Sequence, residues 1–200
     1  MRRIGIFGGT FNPPHVAHHR LALEAVRECA LDEVIIMPTF LPPHKDADSL
    51  LPGEARLELC RCTFTEPCFS FSDYELNKGG RSYTVETLRH LKALYPDDLL
   101  FFIIGSDMLL SFDQWYCWNE ILSMCSLIVL SRETSVSVEE MLAFAKDKLH
   151  LSETELHVLH CLPQTLSSTA IRIMLRNGED VSGLLTEDTL RLIREKGYYR

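Results

Sequence analysis

The chain is short of positive charge, of paired cysteines and of long apolar runs, and each shortage excludes a class of protein. Twenty Lys and Arg stand against 28 Asp and Glu, a formal net charge of -8 with a sequence pI of about 5.5, so no global basic field draws in nucleic acid or an anionic membrane. Any anionic ligand must therefore be met by a local cluster. The seven cysteines, Cys29, Cys60, Cys62, Cys68, Cys117, Cys125 and Cys161, form an odd set without a CxxC pair. In a chain of this size they read as reduced, mostly buried thiols of a cytoplasmic protein, not as a disulfide framework. No apolar run approaches the roughly 18 residues of a membrane span, and the stretch after the two arginines of MRRIGIFGGT is too short for a signal peptide.

Two phosphate-binding signatures are also missing. The glycines of GIFGGT, Gly5, Gly8 and Gly9, have the wrong spacing for the GxGxxG dinucleotide fingerprint, and no GxxxxGK[ST] loop occurs. His15 and His19 have the i, i+4 spacing of a helical zinc pair, but no glutamate follows His15 and no third ligand is evident.

What is present is alternation. Near-continuous Ile, Val, Leu and Phe at 3–7, 33–38, 99–105, 126–131 and 155–160 predicts strands covered on both faces. Helical periodicity falls between them at 15–30, 53–64, 83–95, 117–124, 137–148, 168–177 and 186–196. In the helix at 137–148, Met141, Leu142, Phe144 and Ala145 are expected to pack into the core. The order predicts a single α/β domain over residues 1–200 with a Rossmann-like, doubly wound parallel sheet. The less regular segment 70–81 is expected to hold a short strand and a glycine turn at a sheet end.

The loop GGTFNPPHVAH, 8–18, leaves the first strand at the carboxyl edge, where α/β ligands bind. Gly8 and Gly9 let a ligand approach the main chain, and Pro13 and Pro14 suit a helix entry. His15 and His18 then share a first helical turn whose free amides favour phosphate. Near the other end, Ser167, Ser168 and Thr169 could cap a helix whose amides, hydroxyls and Arg172 face one anion, or they could be a cap and nothing more.

Taken together, GGTFNPPHVAH and LSSTAIR, 166–172, resemble the nucleotidyltransferases with paired motifs of HxGH and ISSTxxR type. PPHK at 42–45, GRSYTVETL at 80–88, FFIIGSDMLLSFDQW at 101–115 and the final GYYR narrow the resemblance to bacterial-type nicotinate mononucleotide adenylyltransferases, over essentially the whole chain. Ala17 replaces the glycine of the first motif, Leu166 the isoleucine of the second, and GYYR differs from the usual ending.

The resemblance implies that the phosphate of nicotinate mononucleotide attacks the α-phosphorus of ATP, giving deamido-NAD and pyrophosphate. It assigns His18, with His15 beside it, to the α-phosphate, and Lys45 and Arg172 to the outer phosphates. Ser167, Ser168 and Thr169 add polar contacts. Gly8, Gly9, Thr10 and Phe11 would run along ATP, with Gly105 and Asp107 on the adenosine side. Tyr83, Thr84, Trp115 and Tyr116 would receive the pyridine nucleotide, the indole stacking on its ring. Magnesium would arrive mainly on the ATP phosphates. The implied partners are ATP and nicotinate mononucleotide, with no nucleic acid and no membrane; a homo-oligomer is left open. Nicotinamide mononucleotide as acceptor, or a non-catalytic nucleotide-binding regulator, are the alternatives. Phosphopantetheine as acceptor is disfavoured by His15, because that branch resembles this motif with threonine there.

Overall fold

The computed structural model describes residues 1–40, 50–131, 136–152, 154–160 and 166–200. Lys45, with the rest of PPHK, and Cys161 lie outside the described residues. Six strands, β1 (Arg3–Gly9), β2 (Glu33–Pro38), β3 (Phe69–Phe71), β4 (Leu99–Gly105), β5 (Ser126–Ser131) and β6 (Leu156–His160), form one sheet. Every neighbouring pair is parallel, in the order β3-β2-β1-β4-β5-β6. The strand order reverses between β1 and β4, the place where a doubly wound sheet opens a crevice at its carboxyl edge.

Strand alternation divides the apolar residues between two faces. Ile4 and Ile6 of β1 and Phe102 and Ile104 of β4 pack against α4 (Thr84–Leu94), α6 (Trp118–Met124) and α7 (Val138–Asp147). Phe7, Phe101 and Ile103 look the other way, onto α1 (Val16–Glu28) and α2 (Gly53–Thr63). Burial of each such side chain contributes about 1.5–3 kcal/mol, which accounts for the uninterrupted apolar strands. Gly5 lies where a Cβ would come within 2.8 Å of the Leu31 side chain, so β1 sits tight against the end of α1.

A third cluster joins α2 to α8 (Ser168–Asn177) and α9 (Glu187–Lys196) through Leu59, Ile171, Leu190, Ile193 and Tyr199. Thr63 and Thr189 share a buried hydroxyl hydrogen bond of 2.7 Å across it.

The structure differs from the sequence expectations at several ends. α1 begins at Val16, so His15 is its N-cap, one residue outside the helix. β3 begins at Phe69, and a short helix α3 (Tyr74–Lys78) precedes the glycine turn, where Gly79 and Gly80 take φ of +67° and +71°. A further short helix, α5 (Ser106–Leu109), and a 3-10 turn at Phe112–Gln114 fill the stretch between β4 and α6. In α7, Met141 and Ala145 are buried as expected, but Leu142 is exposed. Among the six described cysteines, Cys29, Cys60 and Cys125 are buried and Cys62, Cys68 and Cys117 half-buried, all as free thiols. Among the described residues, no helix is long and apolar enough to cross a membrane.

Candidate active site

Two groups of residues meet at the carboxyl edge of the sheet, and the loop after β1 belongs to both. Its course is fixed locally. A Cβ on Gly9 would lie 2.9 Å from the Phe11 ring, so only glycine fits there. Phe11 holds a left-handed φ of +47° and sends its ring into the core, edge-on to Phe7 at 5.6 Å and to Phe64 at 5.9 Å. The side chain of Phe11, a residue expected along ATP, is buried and supports the loop from beneath.

The ring of His18 stands edge-on to Phe11 at 5.2 Å and is stacked on His15 at 3.7 Å with 30° between the planes. His15 is buried and His18 half-buried, so the pair presents chiefly His18 outward at the first turn of α1. His19, one residue on, is turned away: its Nε2 lies 2.8 Å and 2.9 Å from the two carboxylate oxygens of Glu66. Among the described residues no three His, Cys, Asp or Glu side chains gather as a metal site.

The second motif closes onto this loop. Ser168 Oγ donates to the Pro13 carbonyl at 2.8 Å, and Arg172 Nη1 donates to the Asn12 carbonyl at 2.9 Å. Arg172 Nη2 also reaches Thr169 Oγ1 at 3.3 Å. Ser167 caps α8, its Oγ accepting from Ala170 N, which is the cap foreseen as the plainer reading of that residue. Residues 155 and 160 positions apart in sequence are thus joined at the loop that leads into His15 and His18.

Beside it lies a cavity of about 660 Å³ between the ends of β1, β2 and β4, a volume suited to a small ligand. Gly8, Gly9 and Thr10 line it from one side, Asp107 from another, and Tyr83, Thr84, Trp115 and Tyr116 from a third. A Cβ on Gly8 would meet only Phe102, at 4.0 Å, so this glycine keeps the cavity wall low. Gly105 is buried at the end of β4 and does not line the cavity; a Cβ there would come within 2.5 Å of Asp107 Oδ1. Tyr83 and Tyr116 approach at 5.2 Å, and Trp115 leans on Phe112 at 4.9 Å with its ring edge-on to Phe102.

A model of the family described as cytidylyltransferase-like matches residues 6–174, from β1 into α8. The chain is 37% identical, over 98% of both sequences, to a protein of Geobacter metallireducens named a probable nicotinate-nucleotide adenylyltransferase. It is 36% identical over the full length of both to one of the same name from Clostridium acetobutylicum. The chain belongs to the nicotinate-nucleotide adenylyltransferase family. It is thus a nucleotidyltransferase by descent, and its fold agrees. A Plasmodium falciparum nicotinic acid mononucleotide adenylyltransferase complexed with NaAD superposes with a TM-score of 0.75 over all of this chain and 98% of that one, at 17% identity. The same protein complexed with APC gives 0.74 at 16% identity.

Within this adenylyltransferase, four structural side chains around the site were not singled out from sequence. Arg56 is almost fully buried and donates to three main-chain carbonyls, those of Thr10 at 2.8 Å, Leu51 at 3.0 Å and Phe40 at 3.3 Å. Burial lowers the pKa of its guanidinium. Asn12 Oδ1 accepts from Tyr199 Oη at 2.8 Å and from Leu51 N at 3.3 Å. Burial pushes the Tyr199 phenol well up, which keeps it a donor. Glu75 lines the cavity from α3. The signal for Arg56 was an arginine within the buried stripe Ala55, Leu59, Cys60, Thr63 of α2; Asn12 and Tyr199 stood in motifs already quoted.

Proposed function

We propose that the protein transfers AMP from ATP to nicotinate mononucleotide, giving deamido-NAD and pyrophosphate, and that one adenylyltransferase unit spans residues 1–200. The observation that carries this reading is the clamp of Ser168 and Arg172 onto Pro13 and Asn12, which brings both motifs to one loop beside an aromatic cavity.

A phosphate oxygen of the acceptor forms a new bond to the α-phosphorus while the bond to the pyrophosphate oxygen breaks. The acceptor phosphate is already ionised at neutral pH, so no covalent enzyme intermediate is needed. The protein has to hold two polyanions in line and to absorb developing charge. His18 faces the α-phosphate and donates a hydrogen bond to its oxygen in the transition state; His15, stacked behind it, orients that ring. Arg172 keeps donors beyond those bound to Asn12 and Thr169 and offers them to the outer phosphates, with Lys45 assigned to the same phosphates. Ser168 and Thr169 act chiefly by setting the loop and the guanidinium. Gly8, Gly9 and Thr10 line the path of ATP, and Asp107 accepts from a ribose hydroxyl. Tyr83, Thr84, Trp115 and Tyr116 receive the pyridine nucleotide, with the indole against its ring.

Among the described residues the phosphate end offers imidazole, hydroxyl and guanidinium, which fits a magnesium ion carried on ATP oxygens and water. Bound there, the ion would neutralise phosphate charge as the pyrophosphate leaves. These substrates and the free thiols among the described residues support a cytoplasmic location.

Pyrophosphate release with ATP and magnesium tests the reading, comparing kcat/KM for nicotinate and nicotinamide mononucleotides. A preference for the acid of about 100-fold, roughly 2.7 kcal/mol, is expected. Comparable rates would replace it with a dual-specificity enzyme, and no release with either would overturn it.

A further inference from the structure

A charged side chain lies buried beneath the site, where an apolar one would cost less. Arg56 is only 1% exposed, on the face of α2 that also buries Leu59, Cys60 and Thr63. Taking a guanidinium out of water is expensive, and an apolar side chain of similar length would fill the same space without that cost. What the charge secures is three main-chain carbonyls in three separate segments. Nη1 donates to Thr10 in the loop after β1, Nη2 to Phe40 just beyond β2, and Nε to Leu51 ahead of α2.

These ties converge on the loop after β1. Thr10 lines the cavity beside Gly8 and Gly9, on the stretch proposed for ATP. The preceding carbonyl, that of Gly9, accepts from Thr39 N at 2.9 Å, and Asn12 Oδ1 accepts from Leu51 N at 3.3 Å. Successive groups of the loop are therefore pinned to β2 and to the turn before α2, with Arg56 bridging both. The peptide between Thr10 and Phe11 is trans, so its C=O and N–H point in opposite directions. Holding the Thr10 carbonyl on Arg56 thus fixes the direction of the Phe11 N–H as well.

We propose that Arg56 is a positioning residue for AMP transfer: it touches neither substrate, and it holds the Thr10–Phe11 peptide in the one orientation that suits the ATP path. The inference rests on the activity proposed above. The requirement is for the guanidinium and not for charge alone. Its three nitrogens donate in three directions from one rigid plane, whereas a lysine ammonium is a single point that cannot span all three segments.

The test compares Arg56→Lys and Arg56→Met with the wild-type chain in pyrophosphate release, and titrates each with ATP and magnesium alone. All assays run well below the lowest Tm of the three, so that unfolded enzyme does not enter the rates. Small misplacements cost turnover steeply, so kcat should fall roughly tenfold in Arg56→Lys and about 100-fold in Arg56→Met. Kd for ATP should rise about threefold or more, while KM for nicotinate mononucleotide stays within about twofold. Wild-type kcat in either variant overturns the proposal, a lowered Tm alone being the mark of a brace for α2. A parallel rise in the constants for both substrates, the mark of general loosening, also overturns it. Should Arg56→Met fail to fold, Arg56→Lys decides; should neither fold, Arg56 belongs to the fold and not to the site, and the proposal falls. A wild type that releases no pyrophosphate fails the activity itself, and the ATP titration then still judges Arg56.

Discussion

At one end of the site, Thr10, Asn12 and Pro13 give main-chain carbonyls to Arg56, Arg172 and Ser168; at the other, the aromatic residues Tyr83, Trp115 and Tyr116 border an open cavity. Hydrogen bonds to carbonyls are directional and fix a loop to within a few tenths of an ångström, whereas ring contacts tolerate tilt and slide. The difference suits the roles proposed for the two ends. In-line attack at phosphorus depends steeply on position, and a flat heterocycle needs a surface more than a fixed point.

The contrast can be broken at its phosphate end first. His18→Ala should lower kcat by roughly 100-fold, about 3 kcal/mol of lost transition-state stabilisation, with KM for the acceptor little changed. Steady-state kinetics on a variant with unaltered circular dichroism checks this, and unchanged turnover would remove His18 from the chemistry. At the acceptor end, Trp115→Ala should raise KM for the pyridine nucleotide about tenfold, near 1.4 kcal/mol, with kcat and KM for ATP nearly constant. Equal, small changes in both KM values would make the indole a packing group on Phe112. The smallest effect tests the scaffold. Tyr199→Phe deletes the hydroxyl bound to Asn12 Oδ1 and should cost about 1 kcal/mol, a fall in Tm of about 3 °C by calorimetry, with turnover nearly intact.

The elements were legible where the code is local. Apolar runs placed β1, β2, β4, β5 and β6 to within a residue or two, and the two motifs pointed to one edge of the sheet. α3, α5 and the 3-10 turn were missed because pieces of three to five residues are too short for a period to show. The site was legible as types of residue but not as directions. Phe11 and Gly105 both stand in motif segments, yet the Phe11 ring turns into the core and Gly105 lies outside the lining of the cavity. Arg56 and Glu75 were hidden for a related reason: a charged residue is expected at the surface, and only tertiary packing brings these two inside. Asn12 was quoted in its loop, but its partner Tyr199 lies 187 positions away, a separation that periodicity cannot reach.

That separation orders the assembly of the protein in time. During synthesis the loop carrying His15 and His18 emerges early and the sheet can pair strand by strand behind it. The clamps on Asn12 and Pro13 come only with residues 168 and 172, and the last hydrogen bond to Asn12 only with residue 199. A growing chain would therefore pair most of its sheet before residues 168 and 172 lock the loop that leads into His15 and His18.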